Sequence, residues 1–346
     1  MKFWDREKEK EELKAYLKSE PNAILFVYGP KSSGKSTLLD YVIKEIKKEK
    51  KDLFAKKYQI YWFDLRGKFL PNYESAIEIF FSKQKKASKK QKVSSIELQE
   101  PIFKAFKVSA STFKEIKDNE LDPFEYMEEE IKKSKKKTVI VFDELQRLKE
   151  IYINGQRKVV DSFFNFFVRL TKVLHLAHVI VMSSDTFFIE EVYSDSVLSN
   201  TSEFYLVDYF DDSTAMNILV SEGLDKETAE RVIERIGGVP WMMERVLSND
   251  NPIEKVENLY IATKGIIREI LGKLYDKDDK LYKDSINLLR RLINGEELRI
   301  PGEDRRILKT LVENEILSYD PIRGKVRFQT KLHERAVKEL MKEWTK

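Results

Sequence analysis

The sequence predicts an α/β protein: a mostly parallel sheet with helices on both faces, followed by a helical region and then a terminal region of helix and hairpin. Three observations carry that prediction. Short apolar, β-rich runs alternate with helical stretches through residues 1–210, the pattern of a parallel sheet. The runs ILFVY at Ile24–Tyr28 and TVIVF at Thr138–Phe142 lack polar alternation, as strands buried on both faces do. From Asp211 strand signals stop, and they return only in EILSY at 315–319 and KVRFQ at 325–329, around a Pro321-Ile322-Arg323-Gly324 turn. The 346 residues suit two or three domains. The expected divisions are 1–210, 211–275 and 276–346.

In chain order, Asp5 to Lys18 reads as a charged helix that enters the first strand through a Pro21-Asn22 turn. A helix over Lys35 to Lys48 follows that strand. A second strand, YQIYWFDLRG at 58–67, ends in an acid, an arginine and a glycine. In KQKKASKKQK at 83–92 six of ten residues are lysine, the composition of a solvated loop. The chain is then irregularly helical up to Lys137, punctuated by Pro101 and Pro123. After the Thr138–Phe142 strand comes an expected long helix at 157–174, in which Phe163, Phe164, Phe166 and Phe167 form a wide packing face. Strands are expected at 178–186, ending in Ser183, Ser184 and Asp185, and at 203–210. Helices then dominate to about Leu274.

The chemistry begins between the first strand and its helix. Gly29, Gly34, Lys35 and Ser36 have the spacing G-x-x-x-x-G-K-S of a P-loop. Glycines permit positive φ and close backbone approach. Successive amides through Gly29, Pro30, Lys31, Ser32, Ser33 and Gly34 can then form a concave nest for phosphate oxygens. The helix that follows adds the positive end of its dipole. Lys35 reaches the β- and γ-phosphates in this pattern, the Ser36 hydroxyl ligates Mg²⁺, and Thr37 extends the polar helix start. The expected cofactors are therefore ATP or ADP with Mg²⁺.

A site that hydrolyses a triphosphate needs a second acidic strand. The run TVIVFDELQ delivers Asp143 and Glu144 at a strand's carboxyl end, where ligands of open parallel sheets bind. Asp143 is the expected metal ligand, and Glu144 the residue that orients and polarises the attacking water, catalytic together with Lys35. Taken alone, paired acids also suit a helix start.

Composition sets the limits. The chain is 42% hydrophobic and 35% charged, with real cores to bury. Lys and Arg number 63 against 59 Asp and Glu, and a net charge of +4 does not by itself imply nucleic acid. The absence of cysteine excludes disulfides, thiolate metal sites and cysteine nucleophiles. His175, His178 and His333 form no zinc motif. No apolar run approaches the length of a membrane span, and Met1 to Glu12 is charged almost throughout, unlike a signal peptide. The expectation is a cytoplasmic protein without a membrane partner.

Taken together, FWDREKEKEEL at 3–13, GPKSSGKST, VFDELQ, the polar strand end SSD, Gly237-Gly238-Val239-Pro240 and the terminal hairpin resemble an archaeal ATPase of the STAND group within the AAA+ P-loop NTPases. The resemblance covers nearly the whole chain. It implies an AAA+-like P-loop NTPase core, then a helical lid domain and a C-terminal winged-helix domain. It places Phe3, Trp4 and Arg6 on the nucleotide side, although an ordinary amphipathic first helix also explains them. Ser183 and Ser184 fall where the family senses the γ-phosphate, and Pro240 lies against the nucleotide at a lid-helix start. A glycine helix stop before a proline helix start explains that last motif almost as well. The lid region offers only Arg245, too far along to match the family's γ-phosphate arginine, and no arginine stands out as one supplied in trans. Slow turnover in an isolated subunit is the expectation.

Three readings of the job remain: a nucleotide-driven regulatory switch, a DNA-binding factor like the origin-recognition initiators, and a nucleotide-bound scaffold. The terminal helix at about 303–315 presents Arg305, Arg306 and Lys309 among Glu303, Asp304, Glu313 and Glu315. Duplex DNA calls for a basic face free of acids, so weak, non-specific binding is the most this helix suggests. The switch ranks first, with ATP, a protein partner and an oligomer that responds to nucleotide as the expected associations.

Overall fold

A computed structural model of the chain describes residues 4, 6–49, 57–83, 102–103, 105–118, 120–153, 157–196, 198–298 and 302–344. Phe3, Pro101 and positions 84–92 of the lysine block lie outside them. The chain forms two compact units. One comprises Arg6–Tyr28 and Lys35–Leu206, the other Met1–Asp5, Gly29–Gly34 and Val207–Lys346.

The first unit carries the strands β1 (Ile24–Tyr28), β2 (Tyr58–Asp64), β3 (Phe81–Lys83), β4 (Ile102–Phe103), β5 (Phe106–Val108), β6 (Lys137–Asp143), β7 (Tyr152–Ile153), β8 (Arg157–Lys158), β9 (Ala177–Ser183) and β10 (Ser202–Leu206). Six of them make one sheet in the order β10-β1-β9-β6-β2-β4, parallel at every pairing. Every residue of β1 and β9 is buried, which is why these runs read as continuous apolar stretches. Register aligns the carboxyl ends: Tyr28 faces Ser183, Asp143 faces Met182, and Asp64 faces Asp143.

Helix Lys35–Glu49 covers this sheet with Leu38, Leu39, Val42, Ile43 and Ile46, all buried at three- and four-residue spacing. The aromatic helix does what its composition implied. Phe163 and Phe167 lie 5.6 and 4.8 Å from Phe142 of β6, ring centre to ring centre, and Phe164 lies 6.2 Å from Phe26 of β1. Such ring pairs add to area burial.

Element boundaries differ from expectation in instructive places. Positions 157–174 are not one α-helix. Arg157–Lys158 pairs antiparallel with Tyr152–Ile153, the α-helix is Val159–Val168, and Arg169–Val173 is a π turn. There the Thr171 hydroxyl donates to the Phe167 carbonyl (2.8 Å), a side-chain bond that competes with the helical ladder. The second strand ends at Asp64 because the chain turns at Gly67, where φ is +64°. The last strand of the sheet stops at Leu206, four residues before Phe210 takes up a separate bridge with Gly238.

The second unit is helical: Asp212–Ser221, Lys226–Ile236, Pro240–Leu247, Pro252–Lys277, Asp279–Ile293 and Gly302–Glu313, then the hairpin β11 (Leu317–Asp320) and β12 (Lys325–Phe328), and helix Lys331–Trp344. Asp211, Asp225, Asn251 and Asp278 each cap a helix by accepting from the amide three residues on. Helix Pro252–Lys277 is tied to the last helix. Lys264 pairs with Glu339 and Glu343 (3.0 and 2.7 Å), and the Arg335 guanidinium lies 3.8 Å from the Tyr260 ring centre. Among the described residues no helix is long and apolar enough to cross a membrane.

The Gly237-Gly238 pair has two separate causes. Gly237 ends a helix at φ +65°, whereas a Cβ on Gly238 would stand 2.1 Å from the Phe210 carbonyl oxygen. The Phe210 amide donates to the Gly238 carbonyl at 3.0 Å, so the two backbones cannot separate without losing that bond. Gly238→Ala is therefore expected to destabilise the protein by about 1–3 kcal/mol, the usual cost of overpacking. A thermal melt checks this, and a melting temperature equal to wild type would refute the close approach.

Candidate nucleotide site

The loop Gly29–Gly34 runs from the end of β1 to the start of the first sheet-covering helix. Its backbone departs from ordinary geometry at three positions, with φ of +147° at Gly29, +59° at Ser32 and +93° at Gly34. A Cβ on Gly34 would meet nothing within 4 Å, so glycine is needed there for its dihedral and not for space. The Ser33 amide donates to the Pro30 carbonyl, 3.2 Å, closing the loop on itself. Tyr209 donates its hydroxyl to the Lys31 carbonyl (3.0 Å) and accepts from the Gln329 amide (3.0 Å), while the Lys31 ammonium pairs with Glu315. Neither Tyr209 nor Glu315 was evident as a loop partner from the sequence.

Lys35, Ser36 and Thr37 open the helix Lys35–Glu49. The Ser36 hydroxyl donates to Asp143 Oδ2 at 2.7 Å. The two residues expected to share a metal are thus in contact. Asp143 is 1% exposed, and burial pushes its carboxyl above the usual range, against the Ser36 bond and the Arg66 charge, which pull it down. Lys35 is 7% exposed. Its pKa falls from 10.5 to about 8, chiefly through burial; Glu144 and Asp143 oppose the fall, and the Arg66 and Arg6 charges add to it.

Glu144 sits in the left-handed region, φ +65°, with its amide donating to the Met182 carbonyl at 2.8 Å. Both of its carboxylate oxygens are engaged. Oε1 accepts from Ser184 (2.9 Å) and Oε2 from the Gln146 amide. Gln146 in turn accepts from Ser183 at 2.9 Å. The expected pair Ser183 and Ser184 is therefore joined to Glu144, one serine directly and one through Gln146. The glutamine is the residue that sequence reasoning passed over, although VFDELQ contains it.

Two further side chains were missed. Arg66 places Nη2 3.1 Å from Asp143 Oδ2, and its Nε and Nη2 lie 3.0 and 2.9 Å from the two Asp64 oxygens. The DLRG end of the second strand was visible in the sequence. Its proximity to Asp143 depends on the pairing of β2 with β6, which no local pattern reveals.

Of the remaining expected residues, Arg6 is 6% exposed, pairs with Glu9 at 2.9 Å, and is close enough to act on the Lys35 charge. Trp4 donates its indole N–H to Glu222, 3.1 Å. Pro240 is buried at the first turn of its helix, and the Arg245 guanidinium lies 5.2 Å from the centre of the Trp241 ring.

The donor set fits Mg²⁺. It offers a hydroxyl and a buried carboxylate in contact, both hard oxygen ligands. Among the described residues no group of three or more His, Asp or Glu could hold a metal alone. Magnesium characteristically uses one or two protein oxygens together with substrate phosphates and water.

A family model for an ATPase domain predominantly from Archaea matches residues 3–246. Two Methanocaldococcus jannaschii proteins, each named an uncharacterized ATP-binding protein, are similar over nearly the full chain. One is 35% identical, covering 99% of this chain and 98% of its own; the other is 37% identical, covering 99% and 95%. Among solved structures, the Aeropyrum pernix ORC2 protein in ADPNP–ADP complexes matches with a TM-score of 0.50 at 11% identity, over 99% of this chain and 96% of that one. At that identity the likeness is one of fold alone.

Lys35 generates a pH prediction. Its folded pKa is depressed, so the unfolded chain holds that proton more tightly. The burial cost is complete below about pH 8 and fades as pH rises toward 10.5. Phosphates favour the ammonium form, so nucleotide binding near pH 8 to 9 should take up protons, and affinity should fall as pH rises through about 8. Calorimetry in two buffers of different ionisation heat measures the uptake; none at about pH 8.5 would remove Lys35 from phosphate contact.

Proposed function

We propose, from the premise that the chain belongs to the archaeal ATPase-domain family whose model matches residues 3–246, that it binds ATP with Mg²⁺, hydrolyses it, and works as a nucleotide-driven regulatory switch. The observation that carries the reading is the Ser36–Asp143 hydrogen bond, with Lys35 buried beside the same acids. Gly29 to Gly34 and the amides at the helix start would hold the phosphates, and Lys35 would face the β- and γ-phosphates. Ser36 and Asp143 would hold Mg²⁺, which when bound neutralises phosphate charge. Glu144 would orient the attacking water and take its proton, once one of its oxygens is released from Ser184 or Gln146. Arg6, Ser183 and Pro240 are carried as nucleotide-side residues.

The switch itself is supported by the bonds that Lys31 makes. A residue of the phosphate loop is held by Tyr209 and Glu315, the second of which stands two residues before the terminal hairpin. In this reading residues 211–275 act as the lid, and 276–346 as a winged helix whose state follows the loop. One observation favours the scaffold alternative: both Glu144 oxygens are occupied, a geometry that would hold hydrolysis low until a partner changes it.

The initiator-like reading ranks lower. Arg306 pairs with Asp278 (3.4 Å) and Lys309 with Glu313 (3.7 Å), so two of its three candidate phosphate contacts already face acids. DNA affinity near physiological salt should stay within about 10⁻⁴ to 10⁻⁶ M, the non-specific range. Nanomolar, sequence-selective binding in an anisotropy titration, lost on changing Arg305, Arg306 and Lys309, would reverse the ranking.

Glu144→Gln should bind Mg-ATP about as well as wild type while losing hydrolysis on the order of 10²-fold, the scale of a positioned base. Lys35→Ala should instead lose ATP binding itself. Titration with a fluorescent ATP analogue and a phosphate-release assay separate the two effects. Normal turnover by Glu144→Gln would show that the water is activated elsewhere.

A further inference from the structure

The neighbouring strands β2 and β6 end in a pair of acids, Asp64 facing Asp143 in register. Like charges opposite each other in a sheet are unfavourable, and here one side chain answers both. The Asp64 carboxylate accepts from the Arg66 amide (2.9 Å), from Nε (3.0 Å) and from Nη2 (2.9 Å), folding the arginine back over the strand end. The same Nη2 lies 3.1 Å from Asp143 Oδ2, the oxygen to which Ser36 donates. The guanidinium therefore lies at the carboxylate assigned above to the metal. Its side chain is 55% exposed, and Nη1 makes no hydrogen bond among the described residues.

The geometry points to Arg66 as a catalytic arginine supplied in cis, a residue that contacts the transferring phosphoryl group and stabilises the charge developing on it. The inference rests on the ATPase reading above and adds a residue to it. An arginine fork suits phosphate oxygens, is always charged, and keeps its geometry when anchored on one side. Asp64 supplies the anchor. Nη1 is available for an anion, as is the one Nη2 hydrogen not held by Asp64 once it leaves Asp143. A cation on Asp143 would compete with Arg66 for Oδ2, which leaves Asp64 as the hold on the arginine and turns its outer edge toward substrate. In the reaction a water oxygen bonds to the γ-phosphorus as the bond from phosphorus to the bridging oxygen of ADP breaks. The water proton passes to Glu144, and the products are ADP and inorganic phosphate. Arg66 keeps all its protons and acts only by charge and hydrogen bonding. Asp64 is a positioning residue in this scheme.

A different role is that of a bracket which merely neutralises two adjacent acids, and the two roles differ in what they do to a transition-state mimic. Arg66→Ala and Arg66→Lys are compared with wild type for turnover, for affinity to Mg-ADP, and for affinity to Mg-ADP with aluminium fluoride. The expected result for Arg66→Ala is a loss of turnover on the order of 10³-fold, as when arginine fingers are removed elsewhere. Its affinity for the aluminium fluoride complex should fall on the order of 10²-fold, while affinity for Mg-ADP stays within about threefold. Arg66→Lys should restore the melting temperature but only part of the turnover, since a point charge does not reproduce the fork. Equal losses for Mg-ADP and the aluminium fluoride complex, or no loss for either, would overturn the assignment in favour of the bracket. The half-saturating Mg²⁺ concentration for ADP binding should also drop in Arg66→Ala, and an unchanged value would count against the shared oxygen. If wild type binds no nucleotide, the ATPase reading and this assignment fall together. If wild type hydrolyses ATP, Glu144→Gln does not, and Arg66→Ala does at the wild-type rate, only the arginine assignment falls.

Discussion

The register of the parallel sheet is the constraint from which the site follows. Because β1, β9, β6 and β2 run the same way and stop nearly level, Tyr28, Ser183, Asp143 and Asp64 arrive at one edge. A slip of one residue would turn Asp143 to the opposite face of the sheet and break its contact with Ser36. The same alignment crowds charge into a poorly hydrated place. Burial depresses the Lys35 pKa and raises that of Asp143, so each is held away from the value it would have in water. Ser36 and Arg66 offset part of that cost at Asp143, and a bound triphosphate with its metal would offset more. The cluster is costly when empty and suited to a charged ligand.

Much of this was legible because its determinants are local. The loop is fixed by Gly29, Gly34, Lys35 and Ser36 at their spacing, and the acidic strand by an apolar run that ends in Asp143 and Glu144. The Phe163 and Phe167 packing was legible from composition. What escaped depends on pairing between distant segments. Arg66 matters through the β2–β6 register, and Gln146 through a bond to Ser183 on β9. Gly238 resembled a simple helix boundary, yet its cause is the approach of Phe210 from a segment nearly thirty residues earlier. The π turn after Val168 was hidden for another reason: it falls inside a stretch whose composition continues the helix, with the Thr171 hydroxyl bonded to the Phe167 carbonyl.

The bonds to Lys31 differ in kind. Its ion pair with Glu315 is between exposed side chains and is worth under about 1 kcal/mol. The Tyr209 bond is to the loop's backbone, and the same hydroxyl is held by Gln329 from just after β12. A change in the loop on nucleotide binding would therefore be felt more through Tyr209 than through the ion pair. Small movements at such a bond suffice only if the elements it joins have two stable arrangements.

The strand order has a consequence for the making of the protein. The first strand in sequence is interior to the sheet, and its neighbours are the last two strands of that sheet to be synthesised: Ile24 pairs with Val179 on one side and Ser202 on the other. During translation β1 and the phosphate loop must wait, with an apolar strand unpaired on both edges, until β9, about halfway along the chain, has been made. Contacts of such long range slow folding and lengthen exposure to wrong partners. A ribosome stalled before β9 would hold a chain that has the entire phosphate motif and no partner for the strand that carries it.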